Sequence, residues 1–131
     1  MGTTATAYIY DDFGGDPIVG VHTQSGGYPS EFGKRLAQYV ASKQIVNGIP
    51  GGGDRSKLAN GMNCLAALIV AHFKQKDDPG TIYLYAPDVD SSGDFFRYEV
   101  RKDSFRCINS TGHVLYDGPA CEFEVRGPER I

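Results

Sequence analysis

The first part of the chain alternates between apolar and polar positions in the manner of two β-strands. Residues 4–10 place small apolar side chains on one face and threonines and tyrosines on the other. Period two with β-favouring residues predicts a strand. Residues 11–17, DDFGGDP, predict a turn, and residues 18–23, IVGVHT, predict a second strand, so the chain begins with a β-hairpin. The apolar face of the first strand consists of Ala5, Ala7 and Ile9.

Two later segments carry apolar residues three and four positions apart, which predicts two helices. Helix one is capped by Ser30, and Gly33 in its first turn implies close approach of another element or of a ligand. Helix two starts between Asp54 and Asn60, both of which are capping residues, and we favour Asn60 as the cap. It is apolar around most of its circumference, so we expect it to be covered by the sheet together with helix one or another subunit. Its main stripe consists of Met62, Leu65, Ala66, Ile69, Val70 and Phe73.

From Thr81 the two-residue period returns in four segments joined by polar turns. The element order β-β-α-α-β-β-β-β predicts one α+β domain over residues 1–131, with a mainly antiparallel sheet and two helices packed on one face. The final segment is expected to dock on the core through Phe123 and Val125. The four predicted strands are residues 81–86, 95–100, 105–109 and 113–116.

Composition and charge exclude several classes of function. The 131 residues carry a net charge of −3, whereas nucleic-acid and anionic-membrane binding require a basic surface. The longest apolar run is far shorter than the ~20 residues of a membrane span, and the N-terminus is unlike a secretion signal. Three widely spaced cysteines indicate reduced thiols and a cytoplasmic location.

A glycine-rich loop leads into helix two and is the first candidate binding site. Glycines let backbone N–H groups approach a phosphate, a helix start adds partial positive charge, and basic side chains add full charges. The loop lacks the G-x-x-x-x-G-K-[ST] pattern of a P-loop, and the alternative is a solvated loop whose cations lie in water. The candidate anion-binding residues are Gly51, Gly52, Gly53, Arg55, Lys57 and Asn60.

The turn SGGYPSEFGK, residues 25–34, is the second candidate binding site. Tyr28 offers a stacking face and Lys34 a charge, a combination that suits a nucleobase and its phosphates. The alternative is that Tyr28 is a structural staple at the start of helix one. The nucleotide hypothesis is strengthened if the two glycine-rich turns meet in space.

Other kinds of site receive less support from the residues. Residues 88–99 have the spacing of a calcium loop, but strands rather than helices flank them, and an acidic turn explains the same letters. The three histidines have no paired spacing, and Cys64 lies in an apolar run where a thiol is usually inert. We therefore predict no catalytic residues, no metal site and no cofactor.

Six segments carry a resemblance over most of the chain: MGT, GGYPSEFGKRLA, IVNGI, KLANGMNCLAALIVAHFK, GTIYLYAPD and HVLYDGPACEF, in this order. Together they resemble a family of small bacteriophage and prophage proteins. The resemblance implies an accessory protein made inside an infected bacterium. Thr4 stands where the family often has Arg, and Gly26 and Gly27 stand where it has an aromatic residue or Asp, so a partner preference at these positions would differ.

These features lead to two functional hypotheses of different classes. The first is a non-enzymatic phage-type protein that binds a small phosphate-bearing ligand, a nucleotide, and so sequesters a host defence signal. The second is an interaction protein that blocks a host defence protein through an apolar or tyrosine-rich patch. A hydrolase of such nucleotides is a third reading that lacks a visible nucleophile, base or metal cluster. The apolar circumference of helix two also suggests a homo-oligomer.

Overall fold

A large sheet and two helices make up the described part of the chain. The structure is a computed structural model that describes residues 2–48, 55–74, 77 and 79–125. The helices are α1 (Lys34–Ala41) and α2 (Gly61–Phe73). The strands are β1 (Ala5–Tyr10), β2 (Pro17–Thr23), β3 (Gln44–Val46), β4 (Leu58–Asn60), β5 (Ile82–Tyr85), β6 (Phe96–Val100), β7 (Phe105–Asn109) and β8 (Val114–Gly118).

Six of these strands form one sheet in the order β5-β2-β1-β6-β7-β8. β1 and β6 are parallel neighbours at its centre, and the other four pairs are antiparallel. The predicted α+β class with a mainly antiparallel sheet is therefore confirmed. Consecutive strands are not always neighbours, because β2 and β1 lie between β5 and β6. Residues 86–95, the crossover segment, must cross the sheet to join them.

The sequence did not predict β3 and β4, which pair in parallel as a separate two-stranded ribbon. Each has three residues, QIV and LAN, too few to display a hydrophobic period. Their register places Val46 opposite Asn60, directly before α2. The ribbon therefore fixes the point at which α2 begins, and Ile45 packs against the core as expected.

Both helices pack on the sheet face formed by the small apolar side chains of β1, as predicted. Phe32 and Leu36 from the first helical region and Met62, Leu65 and Ile69 of α2 join β1 residues in one buried cluster. α2 is also covered in part by α1, since the ring centroids of Tyr39 and His72 lie 4.1 Å apart. Ala67 and Ala71 are exposed in the single chain, and their cover by another subunit stays a prediction. Among the described helices, none has the length and apolar character needed to cross a membrane.

The start of α1 differs from the predicted capped helix. Residues Pro29–Gly33 form a π-helical turn that continues into α1, so Ser30 lies inside a helical turn and is not its cap. A Cβ at Gly33 would lie 2.7 Å from the ring of Tyr98, whose hydroxyl donates a 2.7 Å hydrogen bond to the carbonyl oxygen of Gly27. The expected close approach at Gly33 is confirmed, and the approaching group is Tyr98.

The C-terminal segment docks on the core as predicted. The ring centroid of Phe123 lies 4.9 Å from that of Phe105 and 5.2 Å from that of Tyr116. Val125 is partly buried against the same core. Aromatic pairs at these separations add to the burial of apolar area. The segment after β8 therefore closes the core at the β7 end of the sheet.

Replacing Gly33 by alanine should destabilise the fold. Alanine gains about 1 kcal/mol in helix propensity, but overpacking costs about 1–3 kcal/mol, and the Tyr98 ring cannot withdraw without losing its bond to Gly27. We expect a net loss in the free energy of unfolding, measured by urea denaturation. Gly93→Ala is the control, because a Cβ at that position would meet no atom of another segment within 4 Å. Equal stability of the two variants would contradict this account.

Candidate functional site

The predicted anion site at the start of α2 already holds a carboxylate of the chain. Oδ1 of Asp12, in the β1–β2 turn, accepts a 2.8 Å hydrogen bond from the backbone N–H of Met62. Gly61 has a φ of +79°, and a Cβ there would lie 3.3 Å from Oδ2 of Asp12. Glycine at this position permits both the left-handed backbone and the approach of the carboxylate. The positive end of α2 is therefore compensated from within the fold.

The other predicted residues of the glycine-rich loop are partly engaged in the local structure. The side-chain oxygen of Asn60 accepts a 2.7 Å hydrogen bond from Gly48 and makes no cap bond to α2, although the helix does begin after it. Arg55 and Lys57 are exposed, and their carbonyl oxygens accept bonds from Leu58 and Gln44. Three further candidates lie outside the described residues: Gly51, Gly52 and Gly53.

Tyr28 and Lys34, predicted in the second turn, occupy two different settings. Tyr28 is partly buried against the core, with its ring centroid 6.0 Å from that of Phe96, so its ring serves packing as the structural alternative proposed. Lys34 is exposed on α1 and lines a groove formed with the C-terminal segment.

Tyr28 and the start of α2 lie at opposite ends of β1. Gly27, next to Tyr28, donates a hydrogen bond to the carbonyl oxygen of Thr3, just before β1, whereas Asp12, bonded at the start of α2, follows β1. A strand rises about 3.3 Å per residue, so the six residues of β1 separate Tyr28 from the start of α2 by roughly 17 Å. Tyr28 and Asn60 therefore do not share one pocket of nucleotide size.

Polar and aromatic side chains collect instead on the sheet face opposite the helices, here called the outer face. Its members alternate with the core residues of β1, β2 and β6, and register places Arg97 opposite Thr6, and Glu99 opposite both Tyr8 and Arg106. β1 is therefore buried on both faces. The outer face consists of Thr6, Tyr8, Tyr10, His22, Arg97, Glu99, Arg101 and Arg106.

Three arginines surround the buried carboxylate of Glu99 on this face, and we call these four residues the arginine cluster. Arg97 and Arg101 donate to Glu99 at 3.0 and 2.8 Å, and Arg106 approaches it at 3.5 Å while donating to Asp117 at 3.3 Å. Within the described residues, the Nε–H of Arg106 is buried without an acceptor. The cluster and Asp117 together hold three cations and two carboxylates, a net charge of +1, and Asp90 and Asp94 line the neighbouring groove.

The charge states in the cluster follow from competing effects. Burial by itself would raise the pKa of Glu99, but hydrogen bonds from Arg101 and Arg97 and their positive charges outweigh it and hold the pKa below its ordinary value. Burial likewise would lower the pKa of Arg97, but its bonds to Tyr10 and Glu99 raise it. Glu99 and Arg97 therefore remain ionised near neutral pH.

Two tyrosine rings of β1 stack against the guanidinium groups of Arg97 and Arg101. The guanidinium of Arg97 lies 4.1 Å from the ring centroid of Tyr8, and that of Arg101 lies 3.8 Å from the centroid of Tyr10. Arg97 also donates a 3.1 Å hydrogen bond to the hydroxyl of Tyr10. Stacking and hydrogen bonding fix the guanidinium planes, and the side chains of Arg97, Arg101 and Arg106 remain 37%, 29% and 38% exposed.

The crossover segment forms one wall of a groove beside the arginine cluster. It is held to β1 because Thr6 donates to the carboxylate of Asp94, and the Tyr8 hydroxyl lies 2.6 Å from Oγ of Ser91. The groove has a volume of about 360 Å³ and runs between this segment, Arg97 and the β7–β8 turn. Its other lining residues include Asp90, Ser92, Ile108 and Ser110.

The calcium-like spacing of residues 88–99 does not form a cation loop. Glu99 is paired with arginines, Asp94 accepts from Thr6, and Asp90 accepts a 2.9 Å bond from the N–H of Ser92. Across the described ranges, no group of three or more His, Cys, Asp or Glu side chains could hold a metal ion.

Sequence reasoning missed the arginine cluster, although the sequence contains a signal for it. The strand FRYEV followed by Arg101 alternates strictly, which places Arg97, Glu99 and Arg101 on one face. Charged residues on a strand usually indicate a solvated face, so the pattern alone does not distinguish a built cluster from ordinary surface. The contact with Tyr8 and Tyr10 requires β6 to pair with β1.

Comparisons with protein-family models, curated proteins and solved structures found no match to this chain. The resemblance to small phage proteins therefore remains a prediction, and the functional argument rests on the geometry of the outer face.

Replacing Asp12 by alanine should destabilise the protein, because the N–H of Met62 then loses its acceptor. Loss of a capping carboxylate costs about 0.5–2 kcal/mol. Urea denaturation should show this loss for Asp12→Ala and a smaller one for Asp12→Asn, which keeps an acceptor oxygen. Asp16→Ala, an exposed position in the same turn, is the control. A loss for Asp16→Ala as large as that for Asp12→Ala would contradict the capping role.

Glu99 should contribute stability that depends on pH. The pKa of Glu99 in the folded protein lies below its ordinary value of 4.5. The stabilisation by the Glu99 charge is therefore complete above about pH 4.5, and it is lost as the pH falls through the pKa of the folded protein. We expect Glu99→Gln to be less stable than the native chain at about pH 7, with a smaller difference at about pH 3. Urea denaturation at both pH values measures this. A difference independent of pH would show that the charge on Glu99 is immaterial.

Proposed function

We propose that this protein binds a small phosphate-bearing ligand, a nucleotide, on the outer face of its sheet. The observation that carries the proposal is the arginine cluster, in which three partly exposed guanidinium groups converge on one sheet face. The glycine-rich loop is less suitable, because the N–H of Met62 and the side chain of Asn60 are already bonded.

The arginine cluster has the chemistry to bind a phosphate group. Guanidinium groups donate paired hydrogen bonds to phosphate oxygens, and such charge-assisted bonds are about twice as strong as neutral ones. Glu99 lies beneath the guanidinium groups, with a side chain only 8% exposed, so it orients Arg97 and Arg101 without facing the ligand. Because the tyrosines already immobilise these arginines, a ligand loses less affinity to side-chain ordering.

The adjoining groove suits the remainder of a nucleotide. Its volume of about 360 Å³ falls in the range of small-molecule sites. Serine hydroxyls and the carboxylate of Asp90 can bond sugar hydroxyls and base edges. One face of the Arg97 guanidinium covers Tyr8, and the exposed part of this side chain, 37%, would offer a base a surface to stack on. The phosphate would lie towards Arg101 and Arg106.

Such a site supports capture of the ligand. In a protein of the phage type that the sequence resembles, capture would withdraw a nucleotide signal from a host defence response. This step depends on the resemblance, whereas the ligand class depends on the arginine cluster alone. The two parts of the proposal are therefore separable.

Isothermal titration calorimetry against nucleoside mono-, di- and triphosphates, cyclic nucleotides and inorganic phosphate tests the proposal. We expect binding of at least one nucleotide, tighter than that of phosphate. Arg106→Gln should weaken it about ten- to hundredfold, as expected for a charge-assisted hydrogen bond of about 1.5–3 kcal/mol. Arg106 is chosen because its contact with Glu99 is the longest of the three, so the substitution disturbs the cluster least.

Arg55→Gln is the matched control, because it removes an exposed arginine outside the outer face. Its binding should equal that of the native chain. If Arg55→Gln lost binding and Arg106→Gln kept it in full, the ligand would bind at the glycine-rich loop and not on the outer face. Absence of heat with every ligand would refute nucleotide binding.

A further inference from the structure

A buried histidine lies on the outer face beyond the arginine cluster. His22 of β2 pairs with Thr6 of β1, and its side chain is only 6% exposed. Its ring stacks on that of Tyr85 of β5, with the centroids 4.4 Å apart and the ring planes 14° from parallel. Because β1 lies between β2 and β6, two strand spacings of roughly 10 Å in total separate His22 from Arg97. His22 therefore acts on the site through another residue.

The donors and acceptors around this histidine fix the direction of its hydrogen bonds. Nδ1 of His22 lies 2.8 Å from Oγ1 of Thr6, and the same hydroxyl donates to the carboxylate of Asp94. A hydroxyl has one proton, which Thr6 gives to Asp94, so its oxygen accepts the proton carried on Nδ1 of His22. The three side chains thus form a chain of hydrogen bonds that runs from His22 through Thr6 to Asp94.

This chain of hydrogen bonds ends on the segment that forms one wall of the groove. Asp94 belongs to the crossover segment, lines the groove and has a side chain only 11% exposed. Its backbone N–H donates a 3.0 Å hydrogen bond to the carbonyl oxygen of Ser91, within the same segment. Buried hydrogen bonds in series polarise and strengthen one another. The N–H of His22 therefore strengthens the bond by which Thr6 holds Asp94.

We propose that His22 is a positioning residue of the nucleotide site, which through Thr6 holds Asp94 and the groove wall in place for the sugar and base. This inference rests on the proposed function, because it concerns the part of the ligand that enters the groove. The phosphate is assigned to Arg101 and Arg106, away from this wall. His22 therefore affects the affinity for the nucleoside part of a ligand and not the affinity for phosphate.

Two substitutions separate the hydrogen bond of His22 from its packing. His22→Phe keeps a ring against Tyr85 and removes the donor, whereas His22→Asn keeps a donor N–H near the position of Nδ1 and removes the ring. In calorimetric titrations with the tightest-binding nucleotide of the panel, His22→Phe should bind about two- to tenfold more weakly than the native chain, as for the loss of one neutral hydrogen bond. Inorganic phosphate should bind equally to both.

His22→Asn should bind the nucleotide more tightly than His22→Phe, because it retains the donor. The reverse order of the two variants would show that the histidine serves packing alone. Equal losses of nucleotide and phosphate binding in His22→Phe would likewise overturn the positioning role.

Hydrogen exchange of the ligand-free protein tests the positioning independently of nucleotide binding. The amide of Asp94 should exchange about two- to tenfold faster in His22→Phe than in the native chain, and His22→Asn should lie closer to the native chain. The amide of Arg101 is the control, since it donates a 3.0 Å bond to Ser104 in the β6–β7 turn and should exchange equally in all three proteins. Unchanged exchange at Asp94 in His22→Phe would refute the inference. Faster exchange there, in a protein that binds no nucleotide, would confirm that His22 positions the wall and refute the proposed function instead.

Discussion

The parallel pairing of β1 with β6 is the constraint on which the rest of the structure depends. It joins the N-terminal hairpin to the C-terminal strands and places β1 in the middle of the sheet, where its side chains are buried on both faces. With β1 paired to β6, β2 and β1 lie between β5 and β6, so the chain that joins β5 to β6 must cross the sheet. The crossover segment takes the outer face, while the two helices take the other.

Burial on two faces explains the unusual chemistry of β1. Towards the helices it supplies small residues that allow close packing, and towards the outer face it supplies Thr6, Tyr8 and Tyr10. These polar side chains are satisfied by the crossover segment and by β6: Thr6 through Asp94, Tyr8 through Ser91, and Tyr10 through Arg97. Buried polar groups require such partners, so the outer face is an ordered network rather than a hydrated surface.

Two carboxylates illustrate how negative charge is distributed in this fold. Asp12 compensates the start of α2, where an external anion was expected, and Glu99 compensates the arginines of β6 and β7 only in part. The helix start is thus satisfied internally, whereas the arginine cluster retains excess positive charge. Asp12 also holds the β1–β2 turn against the start of α2, so one hydrogen bond both closes the expected anion site and positions the turn.

Local sequence patterns were enough to predict most of the elements and the layers, although not the short strands β3 and β4. Period-two and helical spacing depend on which side chains are apolar, and these patterns correctly placed the hairpin, both helices, the four later strands and the docking of Phe123. Gly33 also indicated a close approach before its partner was known. Each of these features is local, because it depends on residues within a few positions along the chain.

Contacts between residues that are distant along the chain could not be predicted from these local patterns. Strand order is set by pairing between segments that are almost ninety positions apart in the chain, as in the contact of Arg97 with Tyr8. The spacing of residues within either segment does not predict that the two segments pair. The same applies to Asp12 and Met62, fifty positions apart, whose bond replaces the cap expected from Asn60. Periodicity shows which face a side chain takes, but long-range packing determines what lies opposite it.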